Sequence, residues 1–234
     1  MEISKVGQTA YSTPNQTADW LVNVTLGIRS VLASPNTSIS IEVPELNLSS
    51  GWLAAQFIPA NTDESTFVTA AMTVPDGVPE RWWPTDLGSP KLYNFTITLS
   101  LGNANATLDQ ISFKVRSGFR TIELLQTAYT DEEVATRGIT PGDKWHFAIN
   151  GHDFYTKGTS IIPFDPFYSR ISQDKVRWIL ESAVQSGQNM VSVRFSGPYC
   201  DLLLYLLMPG PCLGWWCLPA LGCTHGRIRL LLAL

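Results

Sequence analysis

Apolar residues fall on every second position through the first half of this chain, and that two-residue period constrains the fold more than any other feature. Tyr93, Phe95, Ile97, Leu99 and Leu101 form the longest clean series. Trp20, Val22, Val24, Leu26 and Ile28 form another. Shorter series run through 39–43, 68–74, 111–115 and 119–125. Side chains of a strand alternate between the two faces of a sheet, so each series sets an apolar face against a core and leaves a polar face to water. Loops with Pro, Gly, Asn and Asp separate them. About seven short strands with no helical period predict a mainly β fold, an immunoglobulin-like β-sandwich. It occupies residues 1–125 and lacks the Cys-Trp-Cys core of antibody domains.

Residues 126–143 are polar and read as a linker. The triplet Asp131-Glu132-Glu133 there reads as a solvated turn rather than a ligand set. After residue 144 the pattern changes. Trp145, Phe147 and Ile149 lead into Asn150-Gly151, a strong two-residue hairpin signal, and a second strand follows from His152 to Ile162. Ser172 suits a helix N-cap, Val176, Ile179, Leu180, Ala183 and Val184 share one helical face, and Gly187 ends the helix. Asn189 to Phe195 is the next strand. Strand, helix, strand is a βαβ unit, the building block of parallel sheets and barrels. It fills residues 144–200.

The tail, residues 201–234, departs from everything upstream and reads as a non-native hydrophobic extension. From Leu202 to Thr224 no residue is charged, which by length permits a membrane span. Pro209, Pro211 and Pro219 argue against a continuous helix there. All four cysteines (Cys200, Cys212, Cys217, Cys223) lie in the last 35 residues, without metal-site spacing, so no metal is expected and the upstream fold does not depend on disulfides. Net charge is −4 with no basic cluster, which excludes a nucleic-acid partner. Met1 to Lys5 is followed by no apolar run, so no signal peptide is expected in this chain.

Six of the ten asparagines open an Asn-x-Ser/Thr sequon: Asn15, Asn23, Asn36, Asn47, Asn94 and Asn105. That excess points to glycosylation at the surface of a secreted protein. Asn23 and Asn94 each sit between core-facing neighbours and should face solvent.

Three segments then carry a resemblance. They are Trp82-Trp83-Pro84 with Gly88-Ser89-Pro90-Lys91-Leu92-Tyr93; Gly118-Phe119-Arg120-Thr121-Ile122-Glu123; and Ile149-Asn150-Gly151 leading to Lys157-Gly158. In this order they resemble glycoside hydrolase family 2, and within it the fungal secreted β-mannosidases of the A type, over roughly residues 5–200. The resemblance implies a truncated member: the sandwich, followed by the first βαβ of the catalytic (β/α)8 TIM barrel. It also implies a parent reaction, the retaining hydrolysis of terminal non-reducing β-mannose from oligosaccharides, with no cofactor. Trp82 and Trp83 are expected in the core.

Asp165 and Lys157 are the candidate substrate-edge residues, because barrel sites gather at strand C-terminal ends. The chain departs from the family where Ser160 and Ile161 replace an Asn and an aromatic residue, and where Ser192 and Arg194 replace a sugar-site Arg and Trp. The family's two catalytic glutamates have no counterpart here, since Asp201 is the only carboxylate side chain after residue 186. No catalytic residue is assigned, and the chain is expected to be inactive. Two other readings stay open: a non-catalytic binding module using Trp52, Trp82 and Trp83, and a membrane-tethered sandwich anchored by residues 202–224. The sequence sets no oligomeric state.

Overall fold

A computed structural model describes residues 1–9, 12–84, 87–102, 108–161, 165, 167, 170–196, 216–218 and 227–233. Asn105, Cys200, Asp201, Cys212, Cys223 and most of the tail lie outside the described residues, as do the side chains of Ser192, Arg194 and Cys217. The chain divides into two compact units. One holds Met1–Trp82 and Lys91–Glu123, the other Trp83–Pro90 and Leu124–Leu234.

The first unit is a two-sheet sandwich. In chain order its strands are β1 (Glu2–Lys5), β2 (Trp20–Ser30), β3 (Asn36–Val43), β4 (Leu48–Ala55), β5 (Asn61–Val74), β6 (Tyr93–Gly102) and β7 (Leu108–Ser117). One sheet has the order β1-β2-β5 and the other β4-β3-β6-β7, with every pairing antiparallel. The alternating series supply the core. Trp20, Val22 and Val24 meet Ile39, Ile41 and Val43, with Val68 to Val74 and Tyr93 to Leu99 completing it. Phe119 sits at its centre, with Trp20, Tyr93 and Phe95 at ring distances of 5.5, 5.6 and 5.8 Å. Trp82 is fully buried. A Cβ on Gly118 would lie 2.8 Å from the Lys91 carbonyl oxygen and 2.9 Å from the Trp82 Cβ, so the chain leaving β7 passes the tryptophan only because that residue is glycine.

Two strands were not foreseen by alternation. β1 carries one apolar residue in Glu-Ile-Ser-Lys, and its Lys5 is buried. β4 is interrupted by Gly51 at φ +64, which breaks its period. Lys5 is held inside by a specific set of partners. Its Nζ donates to Asp76 Oδ1 at 2.8 Å and to the Ala18 carbonyl at 2.7 Å, and it lies 3.7 Å from the centre of the Trp20 ring. Arg81 joins from the other side, bonding Asp76 and the carbonyl of Gln16, whose side chain bonds Thr121.

β8 (Ile122–Leu125) carries the chain from the first unit into the second. A helix, α1 (Asp131–Arg137), stands where composition reads as linker. Its acidic triplet is the first helical turn, not an open one. Thr130 accepts from the Glu133 amide, the Glu133 side chain accepts from the Thr130 amide, and Gly138 closes the end in the left-handed region. Thr-x-x-Glu is the capping-box signature, and it was legible at residues 130–133. β9 (His146–Ile149) and β10 (His152–Phe154) form a hairpin at the expected turn, with Asn150 and Gly151 at φ +52 and +80, but the strand expected to run from His152 to Ile162 ends at Phe154. They make a sheet in the order β10-β9-β8.

β11 (Gly158–Ile161) pairs in parallel with β12 (Met190–Ser196), and α2 (Gln173–Gln185) connects them. This is the βαβ unit that the change of period predicts. Ser172 caps α2 by accepting from the Lys175 amide, and Val176, Leu180 and Ala183 form its buried face. The tail segments β13 (Trp216–Leu218) and β14 (Arg227–Ala233) extend this sheet in the order β11-β12-β14-β13.

Candidate functional site

A parallel strand pair aligns the C-terminal ends of both strands, and sites in such sheets form at that end. Asp165 lies in the segment that leaves the C-terminal end of β11, and its side chain is 4% exposed. Its Oδ1 accepts from the Phe167 amide at 2.9 Å. Its Oδ2 takes Lys175 Nζ at 3.1 Å and Arg170 Nε at 3.3 Å. The Phe167 amide pulls the carboxyl down; burial opposes this, and the two cations add to the lowering. The Asp165 carboxyl is therefore held below the ordinary carboxylate range. Its bonds tie the β11–α2 connection to the first turn of α2.

Lys157 sits at the other end. It immediately precedes β11, at the N-terminal edge of the strand. The four residues of β11 lie between the two candidates along the chain. What the Lys157-Gly158 motif does locally is hold strands. The Lys157 amide donates to Asn189 Oδ1 at 2.8 Å, and its carbonyl accepts from the Asn189 amide at 2.8 Å. Asn189 is buried and also donates to the Tyr155 carbonyl at 3.0 Å. A Cβ on Gly158 would lie 2.1 Å from the Met190 carbonyl oxygen, which is backbone and has no room to yield. Sequence reasoning singled out Lys157 and passed over Asn189. The signal for Asn189 was a polar residue opening an otherwise apolar strand.

The three tryptophans do not form a common platform. Trp82 is fully buried under Arg120, whose guanidinium carbon is 4.5 Å from the ring centre. Trp83 is half-buried and packs edge-on against His152 at 5.2 Å. Trp52 alone is exposed, on β4 opposite Ser40. Among the described residues, no group of three His, Cys, Asp or Glu side chains could hold a metal ion, and no helix is long and apolar enough to cross a membrane.

Of the sequon asparagines, Asn15, Asn36, Asn47 and Asn94 are exposed. Asn23 is half-buried at mid-strand rather than fully open, paired with Glu2 on one side and Ala71 on the other.

Comparison with known proteins places this architecture. The family Glycosyl hydrolases family 2 matches residues 8–120. The chain is 38% identical over 206 residues to beta-mannosidase A of Aspergillus aculeatus, an alignment covering 88% of this chain and 21% of that protein. It is 37% identical over 207 residues to beta-mannosidase A of Aspergillus niger, with coverages of 88% and 21%. The chain thus spans about a fifth of the length of the curated relatives it matches. Among solved structures, beta-D-mannosidase from Dictyoglomus thermophilum superposes with a TM-score of 0.51 at 19% identity, covering 77% of this chain and 20% of that one. At that identity the likeness speaks for the fold alone.

Proposed function

The chain belongs to glycosyl hydrolase family 2 through its residues 8–120, and from that premise we propose that it is a segment of a secreted β-mannosidase-like glycosidase that has no hydrolytic activity by itself. The parent reaction is the retaining hydrolysis of terminal β-mannosyl residues, and the partner is a β-mannosyl oligosaccharide. The observation that carries this reading is the 38% identity to a β-mannosidase A, which runs over 88% of the chain and so reaches well past the sandwich. The parallel β11–α2–β12 unit supports reading residues 144–200 as the opening of a barrel. Residues 126–143 then join the two parts.

Retaining hydrolysis needs two carboxyl groups roughly 5–5.5 Å apart, one as nucleophile and one as acid/base. Asp165 is neutralised by its own loop and helix, and the segment after α2 offers Asp201 as its only carboxylate side chain. The four exposed sequon asparagines support secretion.

Two measurements test the proposal. The purified chain should release no p-nitrophenol from p-nitrophenyl β-D-mannopyranoside, even at high protein concentration. Ordinary turnover would overturn the inactivity. A chimera carrying residues 8–196 in place of the matching part of the Aspergillus niger enzyme should release it, with retention at the anomeric carbon by NMR. A chimera that folds by circular dichroism yet cleaves nothing would overturn the β-mannosidase assignment.

A further inference from the structure

The five sequons whose asparagine is described are not equivalent in the folded chain. An asparagine accepts an oligosaccharide when its amide nitrogen is reachable and the hydroxyl two residues on can approach the same amide. In a strand the backbone from i to i+2 is extended and tied to its neighbours by the ladder, so the tripeptide cannot bend into a turn. That geometry holds Asn23 with Thr25 inside β2, Asn36 with Ser38 inside β3 and Asn94 with Thr96 inside β6. The Asn94 amide is also engaged, donating from Nδ2 to Glu45 Oε1 at 2.5 Å. Asn47, at φ +51, lies in a turn, but its Ser49 is already inside β4.

Asn15 differs in each respect. It lies in the loop between β1 and β2 and is exposed. The Thr17 hydroxyl donates to Asn15 Oδ1 at 2.9 Å and the Thr17 amide donates to the same oxygen at 3.1 Å. Both hydrogen bonds are accepted by Oδ1, and neither uses Nδ2. The middle residue, Gln16, is fixed to the body of the sandwich. Its carbonyl accepts from Arg81 at 2.7 Å, and its amide nitrogen donates to Thr121 at 3.0 Å. The sequon is anchored by its centre and presents its two reactive residues to solvent.

We propose that Asn15 is an N-glycosylation site that remains a competent acceptor after the sandwich has folded, whereas the strand-embedded sequons can be modified only while the chain is unfolded. The proposal rests on the secretory reading above. The donor is an oligosaccharide on a polyisoprenyl diphosphate. The Asn15 amide nitrogen forms a bond to the anomeric carbon, the bond from that carbon to the diphosphate oxygen breaks, and the amide proton ends on the departing diphosphate.

The test uses the full unglycosylated chain, made in bacteria and folded, with purified oligosaccharyltransferase and lipid-linked oligosaccharide. Glycopeptide mass spectrometry then follows each site in time. Asn15 should be labelled at least tenfold faster than Asn23, Asn36 or Asn94 in the folded chain, and urea-unfolded chain should lose that selectivity. Thr17→Val should abolish labelling at Asn15 and Thr17→Ser should restore most of it, with circular dichroism unchanged in both. Equal rates at Asn15 and Asn23 in folded protein, or labelling of Asn15 only after unfolding, would overturn the proposal. Because the enzyme is supplied in vitro, the result does not depend on where the chain resides. Absence of any glycan on the chain from its native host would count against secretion instead.

Discussion

At the scale of single residues, the least expected feature is a lysine buried in the sandwich. Burial draws the Lys5 ammonium below its ordinary range, while its bond to Asp76 works in the opposite sense. Burial raises the Asp76 carboxyl, but Lys5 and Arg81 outweigh it, and the net direction is down. An acid whose folded value is lowered contributes stability above its unfolded value, and that contribution is lost as pH falls through the folded one. Removing one partner of such a group leaves the other exposed to the full desolvation cost. Asp76→Asn strips Lys5 of its ion-pair partner, and about 2–3 kcal/mol of stability should go with it. Lys5→Met keeps the aliphatic stem on Trp20 and leaves Asp76 to Arg81, so about 1 kcal/mol is expected. Urea denaturation of the two variants checks the order, and a Lys5→Met loss larger than that of Asp76→Asn would refute the account. None of this was readable from the sequence. Position 5 obeys strand alternation, but a lysine at a core position is told from a surface lysine only by the partners that meet it, and those lie 71 residues away at Asp76 and 13 away at Ala18.

At the scale of elements, local rules were readable wherever the signal was local. The α2 face, its Ser172 cap and the Asn150-Gly151 hairpin follow from spacing alone, and all three are in the structure. β1 and β4 escaped because their pairing is decided by neighbours rather than by their own period. α1 was legible and was passed over, since an acidic, polar stretch suggests a linker until the threonine three residues before Glu133 is weighed. That helix carries a pH dependence. Glu133 is held at about 2, first by Lys144 at 2.6 Å and then by the Thr130 amide. Its folded value is below its unfolded one, so the capping contribution is intact above the ordinary value of 4.5 and fades as pH drops toward about 2. An NMR titration of the Glu133 side-chain carboxyl should give that midpoint, and Lys144→Ala should bring it back up. A midpoint already near 4.5 in the unmodified chain would show that the cap is not formed.

At the scale of the whole molecule, the chain divides into two compact units of different construction, and the sequence carries a change of period after residue 144, within the second. What it could not separate was the function of Asp165 from that of Lys157. Both lie beside β11, but the ends of a strand are chemically distinct places, and only pairing in space says which end faces a site. The cysteines all fall after residue 199, so the sandwich is held by packing and polar contacts alone. Its thermal midpoint, followed by Trp20 and Trp82 fluorescence, should be unchanged by dithiothreitol. A drop of several degrees would mean that the tail's thiols cross-link something on which the sandwich depends.

The bond between Gln16 and Thr121 joins residues 105 apart, and Arg81 bonds to Gln16 across 65. On a translating ribosome the early strands must therefore wait for the far side of the sandwich to be synthesised before this clasp can shut. The nascent polypeptide spends that interval with apolar strand faces uncovered, and it is then that chaperones have most to bind.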